Sequence, residues 1–201
     1  MKDTNDDQLT VSIYTDLLAK HGVSFRALDW GSQESQEKRF QIISEIGFAN
    51  SDSVLDVGCG LGDLYLWLNE NGLSMEYYGL DITEAMVIRA RERFPKVHFK
   101  QGSLVGEVVD QKQTDYVVAS GIFFLRKDDP VEYMQRCIVK MYELARKGVA
   151  FNSLSSWYKA DDKEFRADPS AVLEFCKSLT RRVVLRHDYH DGDFTVYLYK
   201  H

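Results

Sequence analysis

The chain has 201 residues, a length that accommodates one domain with at most a small appendage. A hydrophobic share of 44%, with 11 Phe, 11 Tyr and 3 Trp, is enough to bury a core and excludes a disordered protein. Lys and Arg number 25 against 31 Asp and Glu, and the net charge of −6 argues against a dedicated nucleic-acid binder.

The acidic start, Met1-Lys2-Asp3-Thr4-Asn5-Asp6-Asp7, is not followed by the apolar core of a secretion signal. No stretch reaches the roughly 18 apolar residues of a membrane span. Cys59, Cys137 and Cys176 are odd in number and lack CxxC spacing, so the sequence predicts a cytoplasmic protein without a membrane partner, disulfide framework or zinc site. The histidines His21, His98, His187, His190 and His201 show no HxH or HxxxH spacing, and no metal is expected.

An amphipathic helix is predicted over residues 9–20 through Val11, Tyr14, Leu17 and Leu18, and a second over residues 33–46 through Phe40, Ile43 and Ile46. Trp30-Gly31-Ser32 joins them. These helices either pad a sheet edge or cover a cleft, and residues 1–50 are read as a helical cover before a binding domain of residues 51–201. Val54 to Val57 then forms a buried strand, followed by the loop Gly58-Cys59-Gly60-Leu61-Gly62 and a helix closed by Asn71-Gly72. Strands are predicted at 75–80, 97–100 and 115–119. Thr83 is placed to cap the helix that stops before Pro95. Asp129, Pro130 and Glu132 open a helix that Gly148 is expected to end, with a strand at 149–151. Asp168-Pro169 opens another, and Asp191-Gly192 turns a closing hairpin. Strands alternating with helices imply a parallel sheet covered on both faces, with one antiparallel strand at its end.

Ligands of such sheets bind beyond the carboxyl ends of the strands, where Gly58-x-Gly60-x-Gly62 lies. Glycines allow the sharp turn and the close approach of a ligand. The dinucleotide fingerprint requires glycine at position 63, where Asp63 would meet a pyrophosphate. Asp81 ends the second strand and can accept both hydroxyls of a ribose or cap the next helix, a role for which Thr83 competes. These features favour an adenosine ligand without phosphates over NAD. Cys59 reads as a packing residue.

The run Val54-Leu55-Asp56-Val57-Gly58-Cys59-Gly60-Leu61-Gly62, Asp81 and the two-strand ending resemble the class I S-adenosylmethionine-dependent methyltransferases over residues 50–200. Val118 to Phe123 and Arg181 to Tyr189 resemble small bacterial members in particular. The resemblance implies a Rossmann-like, doubly wound α/β sheet of seven strands in the order 3-2-1-4-5-7-6, strand 7 antiparallel. It also implies S-adenosyl-L-methionine as cofactor, leaving as S-adenosyl-L-homocysteine. Asp56, Gly58, Cys59 and Gly60 would line its methionine end, Asp81 its ribose, and Ile82 and Met86 its adenine. Gly102, Ser103 and Leu104 stand where many members place an acid for the adenine amino group. Ser120 and Gly121 fall near the transferring methyl group. Trp30, Gly31 and Arg39 would reach the cofactor from the cover, the Arg39 guanidinium by pairing with the cofactor's carboxylate. Tyr14, Phe123, Asn152 and Tyr158 are the expected substrate residues.

Methyl transfer needs alignment and exclusion of water more than covalent help, so no catalytic triad is required. A small-molecule acceptor is expected. Nucleic-acid methylation is the alternative; against it stand the net charge and Ser120-Gly121-Ile122-Phe123, which lacks the Pro-Pro-aromatic pattern of amino-directed DNA enzymes. A module that binds S-adenosylmethionine or S-adenosylhomocysteine without turnover is a further alternative.

Overall fold

A strand buried on both faces is largely apolar, its polar residues held by partners, and Ser53–Val57 (β1) is buried at all five positions, with Ser53 bonded to Asp115 and Asp56 to Tyr77. It is the first strand of a sheet seen in a computed structural model that describes residues 2–105, 113–125, 128–159 and 164–200. Before it come α1 (Lys2–His21), a 3₁₀ turn (Phe25–Leu28) and α2 (Gln33–Ser44). After it follow α3 (Asp63–Glu70), β2 (Glu76–Asp81), α4 (Glu84–Arg93), β3 (His98–Gln101) and β4 (Thr114–Ala119). The chain continues with α5 (Pro130–Leu144), β5 (Ala145–Leu154), α6 (Pro169–Leu179), β6 (Val183–Arg186) and β7 (Asp193–Tyr199).

The sheet order is β3-β2-β1-β4-β5-β7-β6, as the resemblance implied. The first five pair in parallel, while β7 runs antiparallel to both β5 and β6. Alternate residues of β4 serve opposite cores. Val117 and Ala119 pack with Ile138, Met141 and Phe194 on the α5 and α6 side. Tyr116 and Val118 pack with Ile43, Leu64 and Ala90 on the side of α2, α3 and α4. Chain order reverses between β1 and β4, which locates the ligand crevice at their carboxyl ends.

Several boundaries differ from the sequence reading. Gly148 does not end α5: the helix stops at Leu144 and β5 begins at once, running through Gly148. A Cβ at Gly148 would stand 2.9 Å from the Leu198 carbonyl oxygen, so this glycine permits the close approach of β7. At its start α5 behaves as expected, with the Asp129 carboxylate accepting from the Glu132 N–H at 2.9 Å. The first helix begins at Lys2, because its polar N-terminal turns carry no apolar period to betray them. Within it Leu18 packs with Ala27, Leu61 and Met86, which seats α1 against α4. The second helix buries Phe40, Ile42 and Ile43 in the core.

Candidate active site

The loop after β1 turns through three glycines with positive φ: Gly58 (73°), Gly60 (50°) and Gly62 (77°). At two of them space is lacking as well. A Cβ on Gly58 would lie 2.3 Å from Ile122 Cγ2, and one on Gly60 2.5 Å from Leu28 Cδ2. The loop is held to the next strand by the Gly58 and Cys59 N–H groups, which donate to the Leu80 carbonyl at 2.7 and 3.1 Å.

Asp81 joins this loop to the start of α4. Its Oδ2 accepts from the Gly60 N–H and its Oδ1 from the Thr83 N–H, both at 2.8 Å. Thr83 occupies the cap position without a side-chain cap bond, so Asp81 supplies that function. Each carboxylate oxygen has a second lone pair, which leaves Asp81 able to receive hydroxyl donors from the cleft it lines. Burial raises its pKa, and the two N–H bonds pull against that rise.

Asp56 lies deeper and accepts from the Tyr77 hydroxyl. Burial pushes its carboxyl up to about 7 against the Tyr77 bond, and the charges of Asp81 and Asp63 add to the rise. Asp63 is answered by Arg93 at 2.7 Å and by Gln36 at 3.2 Å. Burial raises the Cys59 thiol well above its ordinary pKa, so Cys59 packs as a neutral residue and offers no thiolate.

These groups line a cleft at the switch point. Of the predicted residues, Tyr14, Trp30, Asp56, Gly58, Cys59, Gly60, Asp81, Ile82, Met86, Gly102, Ser103, Leu104, Ser120 and Gly121 line it. A second chamber shares Leu28, Trp30 and Gly121 with the first, and Gly31, Arg39, Phe123 and Asn152 belong to it. The Trp30 indole lies on the Gly121 backbone between the two: a Cβ there would stand 2.9 Å from Trp30 Cζ2. Asn152 secures the same loop, its Oδ1 accepting from the Gly121 N–H at 2.8 Å and its Nδ2 donating to Ser120 Oγ at 3.2 Å.

Three residues stand elsewhere than expected. Arg39 does not enter the main cleft: its guanidinium is buried in an ion pair with Asp193, donates to the Ser35 carbonyl at 2.9 Å and lies 5.0 Å from the Trp30 ring centre. Gly31 likewise lines only the second chamber. Tyr158 lines neither cavity and is 48% exposed. Its loop is drawn toward the β6–β7 turn, where the Ser155 N–H donates to the Gly192 carbonyl at 3.0 Å and His187 Nε2 lies 2.7 Å from Ser155 Oγ. Trp157 stacks on His187 at 5.0 Å, the anchoring alternative for this loop.

The sequence reading missed Asp7, Thr10, Leu28, Gln36, Thr83 and Ile122 in the main cleft. Asp7, Thr10 and Tyr14 follow one another at spacings of three and four, one stripe of a helix. That stripe is recognisable once α1 is known to begin at Lys2.

The cleft suits S-adenosylmethionine. Four of its lining side chains are carboxylates, Asp7, Asp56, Asp63 and Asp81, beside the apolar Ile82, Met86 and Leu104. Such a lining accepts a nucleoside carrying positive charge and repels a pyrophosphate.

Comparison with known proteins agrees. A family model described as "Methyltransferase domain" matches residues 54–148. "Putative methyltransferase Rv1506c" of Mycobacterium tuberculosis is 32% identical over 163 residues, which span 77% of this chain and 97% of the relative. The magnesium protoporphyrin IX methyltransferase ChlM of Synechocystis PCC 6803, solved with bound SAH, superposes with a TM-score of 0.69 at 13% identity. That superposition covers 98% of this chain and all of ChlM. The structure titled DhpI–SAH complex gives a TM-score of 0.66 at 17% identity over 95% of both chains. From the glycine loop, the strand order and the matched relative together, the chain belongs to the class I S-adenosylmethionine-dependent methyltransferases.

Proposed function

We propose that this methyltransferase acts on a small-molecule acceptor bound in the second chamber, with S-adenosylmethionine in the cleft between α4 and the carboxyl ends of β1, β2 and β4. The observation that carries this reading is the position of the second chamber, which meets the cleft at Leu28, Trp30 and Gly121 and is lined by Phe123, Phe124 and Leu154 together with a few charged groups.

Asp81 would hold the ribose, with Ile82 and Met86 against the adenine and Ser103 beside its edge. Asp56, Gly58 and Gly60 would face the methionine end. When bound, the cofactor supplies an electrophilic methyl group on a sulfonium sulfur, which leaves as a neutral thioether when an acceptor lone pair takes the methyl. The protein's part is to bring acceptor and donor together and to keep water out. Leu28, Trp30 and Gly121, which line both chambers, would set that alignment, with Ser120 beside them in the main cleft.

Incubation with S-adenosylmethionine carrying a labelled methyl group, together with a cell extract, tests the acceptor class. The label is expected in the low-molecular-mass pool; incorporation into RNA, DNA or protein instead would overturn the reading. In calorimetric titration, S-adenosylhomocysteine should saturate a single site while NAD gives no response. NAD binding without a response to S-adenosylhomocysteine would contradict the proposed use of the four carboxylates.

The N-terminal segment is proposed to cover the cleft, since Thr10 and Tyr14 of α1 and Leu28 of the 3₁₀ turn line it. Amide exchange in residues 10–30 should slow when S-adenosylhomocysteine is added, more than exchange in β6. The second helix, already packed in the core, should change little. Equal exchange with and without ligand would make α1 permanent packing.

A further inference from the structure

The second chamber has an uneven charge. Four charged side chains line it: Asp29, Glu164, Asp193 and Arg39. Arg39 is committed, since its guanidinium holds Asp193 and Ser35 and lies on Trp30. Glu164 is paired with Arg166 at 2.7 Å. Two acidic groups retain accepting capacity. Among the described residues no donor or cation holds the Asp29 carboxylate. Asp193, 1% exposed, pairs with Arg39 through Oδ2, while its Oδ1 has no hydrogen-bond partner among the described residues.

A buried carboxylate oxygen without a donor is costly, by an amount comparable to a lost charge-assisted hydrogen bond. The Tyr189 hydroxyl, 2.8 Å from Thr195 Oγ1, and the Phe194 N–H act on the same carboxylate and hold its pKa down, without closing a hydrogen bond to Oδ1. The rest of the lining is apolar and aromatic: Leu28, Trp30, Phe123, Phe124 and Leu154. Burial and the Glu164 charge both raise the pKa of Asp29, the response of a carboxylate facing another acid without a compensating cation.

We propose that the acceptor is an amine, an aromatic or apolar body carrying a protonated nitrogen, with Asp193 Oδ1 receiving its N–H and Asp29 and Glu164 providing the negative rim. The assignment rests on the small-molecule reading above and extends it to a chemical class. An anionic acceptor would face three carboxylates, and the two nearby cations, Arg39 and Arg166, are already paired with Asp193 and Glu164. A neutral alcohol could satisfy Oδ1 but would gain nothing from the rim. The protonated nitrogen is a recognition handle, and the atom that receives the methyl can be elsewhere on the same molecule.

The test uses the full chain saturated with S-adenosylhomocysteine and three probes of similar shape: phenethylamine, phenethyl alcohol and phenylacetate. Binding is read by calorimetry or by ligand-observed NMR. Phenethylamine should bind about tenfold or more tightly than either of the others, the effect of roughly one well-placed charge interaction. Asp193→Asn should remove most of that preference. Because Asp193 is buried and paired, that variant can fail to fold. Asp29→Asn and Glu164→Gln, both at exposed positions, are the second arm and should each weaken phenethylamine while leaving phenethyl alcohol unchanged.

Equal binding of the three probes, tighter binding of phenylacetate, or a preference that survives the rim substitutions would overturn the amine assignment. Saturable binding of S-adenosylhomocysteine in the same samples keeps that failure distinct from failure of the cofactor reading. Absence of S-adenosylhomocysteine binding would overturn both.

Discussion

Asp81→Ala is expected to weaken S-adenosylhomocysteine binding by roughly 10- to 150-fold, the loss of a charge-assisted bond to a hydroxyl. The same substitution should lower stability. Asp81 holds the Gly60 and Thr83 N–H groups at 2.8 Å in a buried setting, and each donor left unpaired costs about 1 to 3 kcal/mol. The sequence alone suggested a variant with its fold intact; the two backbone bonds revise that to a variant that is folded but weakened. Asp81→Asn should separate the effects, because the amide oxygen can still receive one N–H. Titration with S-adenosylhomocysteine beside urea unfolding reads both quantities. Wild-type affinity in a destabilised Ala variant would make Asp81 a cap and nothing more.

Arg39→Met should cost on the order of 3 to 5 kcal/mol, because it strands the buried Asp193 carboxylate. Burial already pushes Asp193 up to about 6, and Arg39 is the chief influence holding it down. A folded carboxyl that keeps its proton more tightly than the unfolded one contributes stability at low pH that is lost as pH rises through its folded pKa. Without Arg39 that pKa climbs further, so the deficit of Arg39→Met should be largest at neutral pH and shrink toward pH of about 5. Urea midpoints at the two pH values decide it. A deficit independent of pH would mean that Arg39 stabilises by packing on Trp30 alone. The double variant Arg39→Met/Asp193→Leu should recover much of the loss, since it removes both charges together.

The main cleft was legible because the signals for it are local, whereas the place of β7 between β5 and β6 came from the family resemblance. A glycine loop directly after an apolar run, and an acid at the end of the next strand, keep their meaning whatever the rest of the chain does. Asp81 left two readings open in the sequence, helix cap or ribose acceptor. A carboxylate with four lone pairs satisfies both, and its geometry is that of a cap with capacity to spare. Gly148 was misread because a helix stop and a close contact between strands both favour glycine, and the difference lies in β7, some fifty residues away. Arg39 was assigned by sign alone, yet its partner Asp193 is brought beside it only by the fold. Tyr158 was chosen for its aromatic character in a long loop, and what draws it aside is the contact of that loop with Gly192.

The insertion of β7 between β5 and β6 has a consequence for the nascent chain. Seven of the ten residues of β5 pair with β7, and they include its most buried stretch, Gly148 to Ser153. About forty residues separate the end of β5 from the start of β7. At a synthesis rate of roughly 5 to 20 residues per second, β5 waits about 2 to 8 s for the strand that covers its free edge. During that interval an apolar strand stands beside β4 with open backbone groups, a template for pairing with another chain. The last of the described strands to be made is therefore the one that closes the sheet, and yield during expression should depend on how well that edge is shielded until it arrives.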